Sequence, residues 1–147
     1  MTRSTRRTRI AGRLAVTLAA LVVAIQLVPV DRSAPAAGHE VGAPAGVADL
    51  LRRACYDCHS GRTAWPWYSR VAPVSWFVAD HVREGRRALD FTDWPALDLD
   101  LQDELLRHVA DEVGKGDMPL ASYRLAHPAA RLTAAQRDSI VAWAEGR

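Results

Sequence analysis

The chain has 147 residues, of which 49% are hydrophobic and 24% are charged, a composition that allows one small domain with a packed core. Its net charge of +2 conceals an asymmetry, because residues 1–13 carry five arginines and no acid and residues 14–30 carry no charge. Residues 31–147 therefore have a net charge of −3. A mildly acidic domain lacks the basic surface that nucleic-acid binding requires, so no nucleic-acid partner is expected.

Residues 14–30, LAVTLAALVVAIQLVPV, form an uncharged apolar run behind the arginines. The run is at the short limit for a transmembrane helix, which needs about 17–25 residues. The basic residues 1–13 would stay in the cytoplasm by the positive-inside rule. We expect a single-pass signal anchor that holds the following domain at the extracytoplasmic face of the cell membrane, periplasmic or outer. A cleaved signal peptide is the alternative, since Ala34-Pro35-Ala36 has the form of a cleavage site.

Residues 31–46 are rich in Pro, Ala and Gly and show no periodicity, which is typical of a linker. Fully extended, such a segment would span at most about 50 Å and would let a domain of residues 47–147 swing near a membrane.

In residues 47–147 the apolar side chains repeat with helical spacing, and no alternating strand pattern occurs. The predicted fold class is therefore all-α. Pro73 can open the second helix, Gly114 or Gly116 can end the third, and Thr133 with Gln136 forms a capping box for the last. The expected buried faces are Val47, Leu50, Leu51 and Ala54; Val74, Phe77, Val78, Val82 and Leu89; Leu101, Leu105, Val109 and Val113; and Ile140 with Trp143.

The most specific motif is Cys55-Tyr56-Asp57-Cys58-His59, which contains the only two cysteines of the chain. On a helix these spacings place Cys55, Cys58 and His59 on one face. Two thiols can then form thioethers with the haem vinyl groups while the imidazole reaches the iron, and CxxCH is the signature of such attachment. We predict one covalent haem c, bound through Cys55 and Cys58, with His59 as the proximal iron ligand. A thioredoxin-like site would need a βαβ context, and a zinc site would need four ligands.

Met118 is the candidate for the second axial ligand, because it is the only methionine besides the initiator and lies in a Gly-Asp-Met-Pro loop after a helix. Thioether ligation suits electron transfer, whereas a lone methionine can also fill a core. The rival histidines are His81, which can face inward from its helix, and His127, which precedes a proline. His108 is expected on the solvent side of its helix, and His39 lies in the linker.

These residues predict a one-electron carrier that is not an enzyme and that exchanges electrons with an undefined redox partner protein. One alternative is a haem peroxidase or a gas or redox sensor with a labile sixth ligand, for which His81 is the candidate polar base. Another is a non-haem dithiol protein that uses Cys55 and Cys58.

Two groups of residues carry weaker signals. The acidic run is usually a solvated face, with docking of a basic redox partner as the alternative. The large aromatic residues can either wall a porphyrin or pack a core. The acidic residues are Asp90, Asp93, Asp98, Asp100, Asp103 and Glu104, and the aromatic residues are Trp65, Trp67, Tyr68, Trp76 and Trp94.

The chain resembles the haem-binding-domain family of small membrane-anchored bacterial c-type cytochromes over roughly residues 50–143. The resemblance implies a cytochrome-c-like helical fold, haem as the cofactor and Met118 as the sixth ligand. One departure is Asp90, where the family pattern has Asn. The matching residues are those of the CxxCH motif with Ser60, then Thr63, Trp65-Pro66-Trp67-Tyr68-Ser69, Pro73, Ser75-Trp76, Gly85, Leu89, Phe91, Trp94, Met118-Pro119, Tyr123, His127-Pro128 and the helix that ends near Trp143.

Overall fold

The computed structural model describes residues 2–36, 38 and 40–146, with side chains from residue 6 onward. His39, the linker histidine, lies outside the described residues. Every regular element in these ranges is helical, which confirms the all-α class. The α-helices are α1 (Thr2–Ile25), α2 (Ala45–Ala54), α3 (Tyr56–His59), α4 (Val74–Ala88), α5 (Leu99–Lys115), α6 (Ala121–Ala126) and α7 (Ala134–Glu145), and short 3₁₀ helices occur at Trp67–Arg70, Trp94–Ala96 and Pro128–Ala130.

The chain forms two compact units. One contains the residues up to 32 together with residues 65–80, and the other contains residues 33–64 and the chain from residue 81 onward. The division falls within α4, after Asp80.

The first unit is dominated by α1, whose apolar side chains are exposed along its length. This helix is long and apolar enough to cross a membrane, and a signal sequence near the N-terminus would have the same properties. It extends into the arginine-rich region and ends at Ile25, before the apolar run ends. The amides of Gln26, Leu27 and Val28 then bond carbonyls three residues earlier, and Pro29 removes the next backbone donor.

The second unit has its core between α2, α5 and α7, with α5 packed along α7. Leu51 of α2 and Ile140 of α7 are fully buried. The predicted capping box is present, since the Thr133 side chain accepts from the Gln136 amide and the Gln136 side chain accepts from the Thr133 amide. Helix α5 ends at Gly116, whose φ of 81° lies in the left-handed region that glycine adopts at low cost.

Two of the buried faces expected from the sequence need correction. Of the expected face of α4 only Val82, at 3% exposed, is buried, whereas Val74 and Phe77 at the other end of the helix are 44% and 52% exposed. On α5, Leu101 is 42% exposed.

The described residues of 31–44 have no regular secondary structure, and some of them contact the rest of the second unit. Val41 is buried in the core of the second unit, and Glu40 forms ion pairs with Arg52 and Arg62.

Candidate functional site

The CxxCH residues form a short helical turn directly after α2. Helix α2 ends at Ala54, and Cys55, with φ −122° and ψ −39°, separates it from α3. The amides of Cys58 and His59 both donate to the Cys55 carbonyl oxygen, at 3.1 Å and 3.0 Å. The three residues are therefore held in a single turn, although a break separates Cys55 from the helix that carries the other two.

His59 is oriented by a hydrogen bond to the backbone. Its Nδ1 atom lies 3.0 Å from the Leu89 carbonyl oxygen, which can only accept, so Nδ1 carries the proton. Burial lowers the pKa of His59, and the hydrogen bond to Leu89 opposes that shift. The ring is therefore favoured as a neutral imidazole with a free lone pair on Nε2, the form that binds a metal.

Both cysteine thiols are free, and their surroundings keep them protonated. Burial raises the pKa of Cys55 to about 12, and burial followed by the neighbouring Asp57 raises the pKa of Cys58 to about 11. Redox-active and metal-binding cysteines instead have lowered pKa values. Among the described residues, no group of three His, Cys, Asp or Glu side chains could hold a metal ion by itself. The raised pKa values disfavour a dithiol redox centre, which needs a thiolate.

A cavity of about 480 Å³ opens beside this turn. Its volume lies within the range of about 300–1,000 Å³ that is typical of cofactor sites. Cys55 and His59 contribute to one part of its wall, and α5 contributes residues at i, i+3, i+4, i+7 and i+8 spacing. The lining residues are Cys55, His59, Ala88, Leu89, Phe91, Leu101, Glu104, Leu105, His108, Val109, Glu112, Val113 and Met118.

Met118 lines the same cavity as His59, so the structure brings together the two predicted axial ligands. It follows the left-handed Gly116 at the end of α5, and its amide donates to the Glu112 carbonyl oxygen at 3.2 Å. Its side chain is partly buried against the core of the second unit. The Gly-Asp-Met-Pro loop is therefore held by the last turn of α5.

Helix α4 and the loop after His59 support the CxxCH turn. Gly85 of α4 lies so close to the turn that a Cβ atom there would be 2.7 Å from the Cys58 carbonyl oxygen. Next to it, the Arg86 guanidinium donates to the Ser60 carbonyl oxygen at 3.0 Å and to the Thr63 hydroxyl at 2.8 Å. The Thr63 hydroxyl donates to the Asp57 carbonyl oxygen at 2.8 Å. Arg86 thus fixes the loop that leaves the turn.

Asp57, between the two cysteines, links the turn to α6. One carboxylate oxygen accepts from the Tyr123 hydroxyl at 2.6 Å, and the other accepts from the Ala64 amide at 2.8 Å. Because α6 begins soon after Met118, this bond restrains the segment that carries the candidate sixth ligand.

The rival histidines have different positions. Neither His81 nor His127 is among the residues that line the cavity, and the His127 ring packs 4.1 Å from the Tyr123 ring. His108 does line the cavity, although its side chain is 70% exposed, with Nε2 at 4.0 Å from Glu104. The expected solvent exposure of His108 is therefore confirmed, and the side chain also contributes to the cavity wall. The full helical period includes Glu104, His108 and Glu112 on the same face.

The sequence left two roles open for the large aromatic residues, a wall of the haem cavity or core packing. None of the five aromatic residues of that group lines the cavity, and Trp94 is instead buried in the core, 5.5 Å from the Phe91 ring. The cavity walls are mainly aliphatic and come from the i, i+4 stripe of α5 that was predicted to be a core face.

The donor set fits a porphyrin better than a bare metal ion. The cavity is large and mainly apolar, and Cys55 lines it while Cys58 lies in the same turn. The His59 imidazole and the Met118 thioether also line it, and both prefer a soft or borderline metal. Cys55, Cys58, His59 and Met118 are the residues that could hold haem.

Comparison with known proteins supports this reading of the cavity. A model of the haem-binding domain matches residues 20–146, which include the end of α1 and all of α2–α7. No curated protein and no solved structure matches the chain. Since the match covers most of the chain, haem is the cofactor, and the protein belongs to the haem-binding domain family.

Proposed function

We propose that the protein is a c-type cytochrome that transfers single electrons at the extracytoplasmic face of a membrane. The observation that carries this proposal is the shared cavity, which His59 and Met118 both line beside the CxxC pair. The bound haem would supply an iron that changes its oxidation state by one electron. Cys55 and Cys58 would hold it through thioethers, and His59 and Met118 would be the axial ligands.

The residues of the chain would set the properties of this iron. The bond from His59 to the Leu89 carbonyl oxygen fixes the ring orientation and makes the imidazole a better donor. Leu105, Val109 and Val113 cover the cavity with aliphatic side chains, which exclude water and lower the local dielectric. A thioether ligand in such surroundings favours a high reduction potential. With both axial positions taken, no substrate would reach the iron, so the proposed role is not enzymatic.

The rim of the cavity suggests the charge of the redox partner. Glu104 and Glu112 line the cavity on α5, whose neighbouring exposed positions include Asp100 and Asp103. A partner with a basic surface would be attracted to this rim, and the encounter rate would fall as salt screens the charges.

A second candidate function is a haem peroxidase or a gas or redox sensor in which Met118 is a labile ligand. This role needs a polar base next to an open iron position. His81 does not line the cavity, so His108 replaces it as the candidate base, with Glu104 as its carboxylate neighbour.

The proposed localisation is a retained signal anchor with its N-terminus inside. Two observations favour retention over cleavage near Ala36. The family match begins at residue 20, within the apolar helix. The Gln26 side chain forms two hydrogen bonds with the backbone of Ala72. Cleavage near Ala36 would remove Gln26 and leave these Ala72 backbone groups without their partner.

Optical spectra of the purified full-length protein in both oxidation states test the electron-transfer proposal. We expect low-spin iron in both states and, in the oxidised protein, the charge-transfer band of a methionine–iron bond. High-spin iron in the wild-type protein would favour the peroxidase or sensor.

A further inference from the structure

The chain that leaves α1 is bonded to a second segment of the first unit. Gln26 Nε2 donates to the Ala72 carbonyl oxygen at 3.2 Å, and the Ala72 amide donates to Gln26 Oε1 at 2.9 Å. Arg32 donates to the Ser69 carbonyl oxygen at 2.7 Å, and its guanidinium lies 5.8 Å from the centre of the Trp65 ring. These bonds hold residues 65–72 at the end of the apolar helix.

This segment and the start of α4 expose large apolar side chains. Trp67 is 78% exposed, Phe77 52%, Val71 45% and Val74 44%. We call these four residues the apolar platform. Its members belong to the same unit as α1, so the platform and the apolar helix are parts of one compact body. Tryptophan is enriched where proteins meet the boundary between water and lipid.

The length of α1 indicates the depth of the platform. Residues 14–25, the uncharged part of the helix, rise about 18 Å, whereas the hydrocarbon core of a bilayer is about 30 Å thick. Residues 26–30 continue the apolar run but are not helical. If they enter the membrane boundary to complete the span, the residues bonded to them lie at the same boundary. The paired amide of Gln26 also satisfies backbone groups that would otherwise be costly near lipid.

Basic side chains lie beside the platform. Arg32 and Arg70, with Gln26 and Ser75, line a pocket of about 230 Å³ next to residues 27–30. The planar fork of N–H donors in a guanidinium group matches the geometry of phosphate oxygens.

We propose that the apolar platform is a second membrane contact, which inserts into the headgroup–acyl boundary of the bilayer that α1 crosses. Arg32 and Arg70 bind lipid phosphate groups at this boundary. This inference rests on the proposed membrane anchor and is independent of the haem chemistry. The haem-binding protein would thus touch the membrane at the platform as well as through its helix.

The test uses the full-length haem-loaded protein in vesicles of phosphatidylcholine with or without phosphatidylglycerol. Trp67→Cys and Val71→Cys each add a thiol on the platform, and Leu99→Cys is the control. Leu99 is 74% exposed, close to the 78% of Trp67, and lies between Asp98 and Asp100, whose carboxylates disfavour insertion into lipid. Labelling by a charged, water-soluble maleimide is timed, with the wild-type chain as the blank.

If the platform inserts about 5–10 Å into the lipid boundary, both platform thiols should be labelled about tenfold or more slowly than the control thiol. Phosphatidylglycerol should increase the protection, and Arg32→Gln with Arg70→Gln should remove that increase. If platform and control thiols are labelled at equal rates in a chain that resists carbonate extraction, the platform does not contact the membrane. That result would still support the membrane anchor. Release of a shortened chain by carbonate overturns both, while an unchanged haem spectrum would leave the electron-transfer proposal intact.

Discussion

Gly85 and Cys58 are in backbone contact, at a distance that leaves no room for a side chain on α4. A Cβ atom on Gly85 would lie 2.7 Å from the Cys58 carbonyl oxygen and 3.1 Å from the Cys58 Cβ atom. The contact brings α4 directly against the CxxCH turn. Leu89, which follows α4, then offers its carbonyl oxygen to His59. The position of His59, the proposed proximal ligand, thus depends on the absence of a side chain at residue 85.

Gly85→Ala should destabilise the protein by about 1–3 kcal/mol, since backbone must move to relieve the overlap. Gly114→Ala is the matched control. Gly114 lies in α5, and the nearest atom to its added Cβ would be 3.8 Å away, in ordinary contact. Alanine there should be neutral or stabilise by up to about 1 kcal/mol through its helix preference. Denaturant unfolding of the two variants measures both effects, and equal stabilities would refute the close packing of α4.

Two tyrosines provide a similar contrast. Tyr123→Phe removes the hydroxyl that donates to Asp57, which should cost about 0.5–1.5 kcal/mol, or more because the acceptor is a carboxylate. The Tyr56 hydroxyl is buried and has no hydrogen-bond partner among the described residues, so Tyr56→Phe should be neutral or stabilising. Thermal unfolding of the pair is the measurement. If Tyr123→Phe is as stable as the wild type, the link between Asp57 and α6 does not contribute.

The sequence predicted the fold class, the α2 stripe, the capping box of α7 and the glycine end of α5, because each depends on residues close together in the chain. It could not predict which face of α5 borders a cavity. That face depends on how α5 packs against α7 and beside the CxxCH turn, and the polar Glu104 and His108 share it with Leu105. The proximity of Gly85 to Cys58 and the bond from Tyr123 to Asp57 join distant parts of the chain, and no periodicity reveals them.

Met118→Ala should open the iron to external ligands, because axial identity and access govern haem reactivity. We expect partly high-spin iron, a lower reduction potential and rapid binding of cyanide or carbon monoxide. Met118→His should remain low-spin at a lower potential. His108→Ala is the control, because His108 lines the same cavity and its role in the second candidate function is that of a base. If the spectrum changes in His108→Ala and not in Met118→Ala, Met118 is not the sixth ligand.

Glu40 should make stability depend on pH. The hydrogen bond from Arg52 is the main cause that holds the pKa of the Glu40 carboxyl group below its ordinary value. Its stabilising effect is therefore complete above the unfolded pKa and is lost as pH falls through the lower folded pKa. Glu40→Gln should cost at most about 1 kcal/mol at neutral pH, and the cost should shrink in acid and in high salt. Unfolding free energies of both proteins at several pH values test this, and a difference that does not change with pH would contradict it.

Covalent attachment through Cys55 and Cys58 is the central claim, and the intact mass of the denatured polypeptide tests it most directly. The protein is expressed with a cytochrome-maturation system, and wild type, Cys55→Ala, Cys58→Ala and the double variant are compared. We predict that the wild-type polypeptide carries the mass of one haem after extraction with acidified organic solvent, that each single variant keeps at most one thioether, and that the double variant loses its haem to the solvent. A wild-type polypeptide with no added haem mass would contradict the account.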